Sequence, residues 1–454
     1  MQKILLIGAG RSAVSLIDYL LKNSAVHDWH LTVADANPEA ARQITGRHDR
    51  VEVLGFDAND SAKRMELIGK TDLVLSMLPA FMHPHVAKDC LRLKKHLITP
   101  SYISPEMKEM DAEVQKAGLT FINELGVDPG IDHMSAMRML DERKAAGEEI
   151  TWFESFTGGL VAPESDDNPW NYKFTWNPRN VVLAGQGGAV KFKHNDRYKY
   201  IPYQKLFRRT EYITIPGYGR FEGYANRDSL KYMELYNLQG IPTIYRGTLR
   251  RPGFCRAWDL FVQMGMTDDS YIIDDCINMT HRDFTNGFLS YHADDSVELK
   301  FMQYMRLDQD SDLLEKLNWI GIFDRTPIGL NKPSTPAQIL QHILEKKWSL
   351  KPDDKDMIVM WHRIFTRSSP NELERELHSS MVVVGENQLH TAMAKTVGLP
   401  VAMAAKLLLQ GKIVRRGVVA PMTSDFYLPI LNELEGYGIR FEERQIADPD
   451  LKNR

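Results

Sequence analysis

Cysteine is scarce in this chain. Cys90, Cys255 and Cys276 are the only three among 454 residues, and no two stand close together. That spacing supports neither a disulfide framework nor a thiolate zinc site, and it leaves a soluble, cytoplasmic protein as the expectation. Long apolar runs are lacking as well. Only Ile4 to Ile7 precede Gly8 at the N-terminus, too few for a secretory leader, and no stretch approaches the ~18 apolar residues of a membrane span. Neither sign of charge dominates: 56 Lys and Arg against 60 Asp and Glu give a net charge of −4. A protein that coats nucleic acid through its overall field is thereby excluded. What is present is core-forming material, 43% hydrophobic and 26% charged residues, in a chain long enough for several domains.

The first 125 residues alternate short apolar runs with amphipathic stretches, the rhythm of strand-helix units that close a parallel sheet. Six strands are expected, at Ile4–Ile7, Leu31–Ala34, Val51–Phe56, Leu73–Met77, Leu97–Thr99 and Leu119–Asn123. Between them, Val86, Cys90 and Leu93 share a helical face, and Ser104-Pro105-Glu106 reads as a cap, a first-turn proline and an acid at the positive helix end. After Gly130 the texture becomes aromatic, with Trp152, Trp170 and Trp176 and with turns at Gly158-Gly159 and Pro216-Gly217, which suggests an antiparallel second domain. Helical periodicity returns in 259–375, for example over Ala337–Glu345, and the tail offers a strand at Met381–Val384 and a helix over Val401–Leu409.

Gly8-Ala9-Gly10-Arg11-Ser12-Ala13 is a G-x-G-x-x-A match lying between the first expected strand and the first expected helix. Gly8 permits the tight turn, Gly10 lets the backbone approach a pyrophosphate, and Ala13 keeps the helix close to the sheet; Arg11 and Ser12 lie between them, where the helix N-terminus faces the phosphates. Asp35 closes the second strand, where a carboxylate can accept both ribose hydroxyls and repel a 2′-phosphate. The expectation from Asp35 is therefore NAD in preference to NADP.

Open parallel sheets bind ligands beyond the carboxyl ends of their strands, so chemistry is sought there. Asp57 follows the third strand, and Leu78 and Pro79 follow the fourth; all three are placed on the cofactor side. Ser101 and Tyr102 follow the fifth strand. Asn123 to His133, the segment after the sixth, contains Asp128 and the pair Asp132-His133, which reads as a helix cap beside a packing histidine. His83-Pro84-His85 lacks a third metal ligand nearby, so no metal is expected. From Trp170 to Arg256 there are sixteen basic residues against five acidic ones, a concentration suited to clamping a multiply anionic small molecule.

Several segments carry a resemblance: Ser101-Tyr102-Ile103-Ser104-Pro105, Asn123-Glu124-Leu125-Gly126-Val127-Asp128-Pro129-Gly130-Ile131-Asp132-His133, Asp167-Asn168-Pro169, Tyr172-Lys173-Phe174, Asn226-Arg227-Asp228-Ser229, Arg246-Gly247-Thr248-Leu249-Arg250 and Ala392-Met393-Ala394-Lys395-Thr396-Val397-Gly398. In these, and in their order along nearly the whole chain, the protein resembles the saccharopine dehydrogenase family of the L-glutamate-forming type, also called saccharopine reductase. The resemblance implies an α/β architecture: a doubly wound Rossmann domain (1–130, with 391–440 returning to it), an α+β substrate domain (131–258 with 376–390) and a mostly helical third domain (259–375). It further implies reversible NAD(P)-dependent oxidation of saccharopine, through an imine, to L-glutamate and 2-aminoadipate 6-semialdehyde. Asp128 and Tyr102 would be catalytic, and Ser101, Thr157, Asn168, Lys173, Arg227 and Arg246 would bind the tricarboxylate substrate. Two departures stand out. Eukaryotic members have Cys-Gly-Gly-Leu where this chain has Thr157-Gly158-Gly159-Leu160, and fungal members that use NADP carry an arginine near the position of Asp35.

Two other readings compete. A polyamine dehydrogenase of the carboxynorspermidine type performs the same imine chemistry but calls for an acidic pocket, against which the basic tract argues. A non-catalytic NAD-binding sensor needs the phosphate loop alone. The sequence leaves the physiological direction and the oligomeric state open, with a homodimer as the candidate assembly.

Overall fold

A computed structural model describes residues 1–369 and 371–446. The described residues form two compact units, one from Met1–Ile150 together with the described residues of 360–446, the other from Thr151–Val359. The first unit begins with β1 (Gln2–Ile7), α1 (Val14–His27), β2 (Trp29–Asp35), α2 (Pro38–Thr45), β3 (Val51–Gly55), α3 (Ser61–Gly69), β4 (Leu73–Ser76), α4 (His83–Leu93), β5 (His96–Ile98), α5 (Pro105–Glu109), α6 (Asp111–Lys116), β6 (Thr120–Ile122) and α7 (Ile131–Ala145). The six strands are those expected, each within two residues at either end. They are parallel, and β1 lies between β2 and β4. Ile4, Leu5 and Leu6 are fully buried, as a central parallel strand covered on both faces requires. Side chains start the helices where local chemistry predicts: Asn37 caps α2, Asp60 caps α3, and Ser104 caps α5 with Pro105 in its first turn.

The second unit contains β7 (Glu149–Val161, from Thr151), α8 (Pro178–Val182), β8 (Val190–His194), β9 (Arg197–Ile201), α9 (Tyr203–Leu206), β10 (Thr210–Ile215), β11 (Gly219–Ala225), α10 (Lys231–Leu235) and β12 (Thr243–Arg250). Strands β10, β11 and β12 run antiparallel, β7 joins β12 in parallel with Thr157 opposite Thr248, and β8 and β9 form a hairpin. The helices α11 (Phe254–Met264), α12 (His281–Asn286), α13 (Val297–Met305), α14 (Asp312–Ile320) and α15 (Pro336–Trp348) complete it. This corrects the expectation of a separate helical domain over 259–375. Trp170 stacks on Phe261 of α11 and meets Trp348 of α15 edge-on, and Trp258 stacks on Trp348. Helices α11 and α15 thus pack on Trp170 of the same unit.

Strand β13 (Asp356–Arg367) carries the chain out of the second unit. The first unit then gains β14 (Arg375–Val384), α16 (Ala392–Leu409), β15 (Gly417–Val419), α17 (Ser424–Glu435) and β16 (Glu442–Ile446). Strand β14 pairs antiparallel with β16 in the first unit, in which α7 also lies. Strand β15 adds to the parallel sheet beside β6, giving the order β15-β6-β5-β4-β1-β2-β3. By length and composition α16, at 18 residues, could cross a membrane, although Lys395 and Lys406 interrupt its apolar run in the sequence; 78% of it is buried, which makes it a core helix. It lies against α1, and a Cβ at Gly398 would come within 2.7 Å of the Leu16 backbone nitrogen and 3.1 Å of the Ser12 carbonyl oxygen. From α17, Glu433 accepts the Tyr19 hydroxyl at 2.6 Å.

Gly398→Ala forces α16 away from the helix that begins at the phosphate loop. It is expected to lower the stability of the protein to urea by about 1–3 kcal/mol and to weaken dinucleotide binding. Urea unfolding and a fluorescence titration with dinucleotide check both effects.

Candidate active site

The phosphate loop follows from backbone geometry. Gly8 sits at φ +93°, and a Cβ there would press on the Met77 carbonyl at 3.1 Å, whereas a Cβ at Gly10 would meet nothing within 4 Å. The first position thus needs glycine for its conformation and its close neighbour, and the second leaves open space along the backbone, as a cradle for a pyrophosphate does. Ala13 is buried, Arg11 is exposed and Ser12 lies between these extremes. A cavity of about 240 Å³ opens beside the loop, and Gly8, Asp35, Asp57 and Leu78 all line it. Phe56 and Asn59 also line it; the sequence reading missed them, although their place directly after β3 was a usable signal. Asp57 accepts hydrogen bonds from the Asn59 backbone N–H and side-chain amide. Both carboxylate oxygens of Asp35 are engaged by the backbone: Oδ2 accepts from Ala9 N–H at 2.6 Å and Oδ1 from Asn37 N–H at 2.7 Å.

At the carboxyl ends of β4, β5 and β6 the polar side chains form a connected set. The Tyr102 hydroxyl donates to Asp128 Oδ1 at 2.9 Å, and both side chains are partly exposed. Glu124, held at φ +58°, donates its backbone N–H to the Ser101 carbonyl at 3.0 Å and accepts Ile103 N–H on Oε1 at 3.0 Å. Its Oε2 lies 2.9 Å from His133 Nε2, while His133 Nδ1 lies 3.5 Å from Asp132. The pair Asp132-His133 is therefore more than a cap beside a packing ring: Asp132 does accept Gly130 N–H, but the imidazole stands between two carboxylates. Gly130 is obligatory at φ +147°, where a Cβ would meet the Gly126 carbonyl at 2.1 Å. The imidazole of His83, which opens α4, is almost fully buried. It reaches Ser76 Oγ through Nδ1 at 2.9 Å, and Ser101 Oγ and Thr99 Oγ1 through Nε2 at 2.8 and 2.9 Å. Burial pushes its pKa down to about 4.

In the second unit the candidate residues occupy different settings. Thr157 is buried on β7, and its hydroxyl has no hydrogen-bond partner among the described residues. Asn168 organises its own loop, accepting Trp170 N–H and donating to the Tyr172 carbonyl. Lys173 is 2% exposed, and its ammonium sits 2.7 Å from Asp354 and 2.8 Å from Asp167; hydrogen bonds from Lys173 and Lys351 hold Asp167 down at about 2. Arg246 is buried on β12 with its guanidinium 4.1 Å from the Tyr232 ring centre. Arg227 is exposed at φ +50°. Its neighbour Asp228 accepts Leu230 N–H and faces Lys191 at 3.7 Å. Other members of the basic tract are also paired within the unit, Arg179 with Asp269, Lys193 with Asp196 and Arg208 with Asp259, which leaves less free positive charge than the sequence count implied.

The depressed pKa of His83 has a consequence for stability. Below about pH 6.5 the unfolded chain takes up a proton that the buried imidazole refuses, so stability falls as the pH drops from about 6.5 toward 4. Urea unfolding at pH 7 and pH 5 is expected to show a loss of about 2 kcal/mol from this group, read as the part of the pH dependence that disappears in His83→Gln.

Residues 4–122 match the family described as the saccharopine dehydrogenase NADP binding domain, and residues 126–439 match the saccharopine dehydrogenase C-terminal domain. The alpha-aminoadipic semialdehyde synthase of Bos taurus, named as mitochondrial, is 34% identical over 97% of this chain; the chain spans 47% of that relative's length. The saccharopine dehydrogenase [NADP(+), L-glutamate-forming] of Saccharomyces cerevisiae is 33% identical over 98% of this chain and 100% of its own. A solved structure of apo saccharopine dehydrogenase (L-Glu forming) from S. cerevisiae superposes with a TM-score of 0.87, covering 98% of this chain and 100% of that one, at 30% identity. These findings overturn the expectation of NAD: the matching domain family is NADP-binding, and the yeast relative is named for NADP(+). In the structure the Asp35 carboxylate lines the cavity and accepts the backbone N–H groups of Ala9 and Asn37. With a doubly wound sheet, a glycine cradle beside a cavity and two family matches that together run from residue 4 to residue 439, the chain belongs to the saccharopine dehydrogenase family.

Proposed function

We propose that this chain is an NADP-dependent saccharopine dehydrogenase of the L-glutamate-forming type, an enzyme of lysine metabolism that oxidises the secondary amine of saccharopine to an imine and hydrolyses it to L-glutamate and 2-aminoadipate 6-semialdehyde. The observation that carries this reading is the Tyr102–Asp128 hydrogen bond, which sits at the carboxyl ends of the strands in the same unit as the dinucleotide cradle. In this reading Gly8, Gly10, Arg11, Ser12 and Ala13 hold the pyrophosphate, while Asp57, Leu78 and Pro79 border the rest of the dinucleotide. Bound NADP supplies the hydride-accepting carbon.

The protein's own groups manage protons and carboxylates. A protonated secondary amine cannot release hydride, so a base must first take its proton, and the Asp128 carboxylate is the group assigned to that step. Tyr102 donates to one oxygen of Asp128 and so fixes the direction in which the other lone pairs point. The same pair then serves hydrolysis, in which a proton leaves water and another reaches the departing amine. Ser101 and Thr157 are assigned to polar contacts with the substrate; the unpartnered hydroxyl of Thr157 supports that role for the threonine. Arg227 and Arg246 are assigned to substrate carboxylates. Asn168 and Lys173 act one step back: the first shapes its loop, and the second is a buried cation whose two carboxylate partners hold the segment around Tyr172. A tricarboxylate substrate, a homodimer and a cytoplasmic location complete the proposal, and the three buried free thiols accord with a reducing setting.

Asp128→Asn and Tyr102→Phe are expected to slow turnover of saccharopine by about 10²–10⁴-fold while dinucleotide affinity stays at the parental level. Steady-state kinetics and a binding titration measure the two quantities, and parental turnover in both variants would remove the pair from catalysis. Arg227→Lys keeps the charge but loses the planar fork. It is expected to raise KM for saccharopine and to cost about 2–4 kcal/mol in kcat/KM. Unchanged saccharopine kinetics in that variant would exclude Arg227 from substrate binding.

A further inference from the structure

Three hydroxyl groups from two strand ends converge on one imidazole. Ser76 ends β4, Thr99 follows β5, and Ser101 immediately precedes Tyr102; their oxygens lie 2.9, 2.9 and 2.8 Å from the ring nitrogens of His83. Packing alone does not call for histidine at this place. An apolar side chain of similar size would fill the volume but strip these hydroxyls of a partner that supplies one donor and one acceptor. The same backbone is held a second time by Glu124, which donates N–H to the Ser101 carbonyl and accepts Ile103 N–H. The residues on both sides of Tyr102 are thus fixed, while the Tyr102 side chain reaches out to Asp128. A shift of the Ser101 backbone moves the Cα of the next residue, and through it the phenol oxygen.

We propose that His83 is a positioning residue for catalysis: through Ser101 and Thr99 it sets where the Tyr102 hydroxyl meets Asp128. It touches neither substrate nor dinucleotide in this role, and two carriers of its effect, Thr99 and Ser101, lie in the segment that bears Tyr102. The inference rests on the reading of Tyr102 and Asp128 as the proton-handling pair.

A double-mutant cycle tests it. In the otherwise unaltered enzyme, His83→Leu should lower kcat for saccharopine by ~10- to 100-fold, the scale of a sub-ångström to ångström misplacement of a catalytic group. KM and the dissociation constant for NADP should stay within about twofold, and His83→Gln, which returns an amide toward Thr99 and Ser101, should recover most of the loss. In a Tyr102→Phe background His83→Leu should cost less than about twofold, because the group it positions is gone. An equal loss in both backgrounds would assign His83 to packing and overturn the proposal, as would parental kcat in His83→Leu. Parental kcat in Tyr102→Phe alone would overturn the catalytic pair and the proposal with it, and that outcome is distinguishable because it appears without any change at His83. If His83→Leu does not fold, as judged by circular dichroism, Thr99→Val enters the same cycle with the same expected and refuting outcomes.

Discussion

A carboxylate buried at the carboxyl edge of a parallel sheet has to be satisfied, and the arrangement around Glu124 shows how much structure that single requirement organises. Glu124 is 7% exposed, and an ionised carboxylate at that depth is tolerated only with hydrogen-bonded or charged partners. It finds them in Ile103 N–H and His133, which come from the segments after β5 and at the start of α7. The loop bearing Tyr102, the loop bearing Asp128 and the first turn of α7 are thereby tied to one atom group. Left-handed backbone at Glu124 and at Gly130 is the cost of turning the chain sharply enough to reach it.

Much of the first unit was legible in the sequence because its signals are local. Strand β1 shows its burial in four consecutive apolar residues, caps such as Asp60 and Ser104 stand next to the helices they start, and the phosphate loop is contiguous. The rule that ligands gather at strand ends then directed attention to Tyr102 and Asp128 with no knowledge of their distance. Glu124 was passed over, and His133 and His83 were read only as a packing ring and as a poor metal ligand, for the opposite reason. Glu124 and His83 reach groups after other strands, and a sequence does not show that a histidine beside a proline will face three hydroxyls, one of them 18 residues away.

Charge was the least legible property. The excess of basic residues between Trp170 and Arg256 resembles an exposed anion trap when counted along the chain, but Lys173 is neutralised by Asp354, 181 residues away, and Arg179 by Asp269. Asp35 illustrates the same limit at short range. Its place at the end of the second strand does not show that the Ala9 and Asn37 N–H groups bind its two oxygens. Domain texture misled in a related way. Helical periodicity after Asp259 was real, but periodicity does not say what a helix packs on, and here the aromatic rings of Trp170 and Trp348 join the helices to the sheet's own unit.

Strand β15 lies beside β6 although 295 residues separate Thr120 from the Arg415 carbonyl that accepts its hydroxyl. A chain emerging from the ribosome therefore completes six strands of the sheet early and waits through the synthesis of the whole second unit for the seventh. During that interval the edge of β6 and the face of α1 that α16 covers are open to solvent and to other nascent chains. At ~5–20 residues per second the delay is on the order of 15–60 s, long compared with the folding of a small domain. Translation thus imposes an order on this fold that the finished molecule no longer displays: the nucleotide-binding half is started first and closed last.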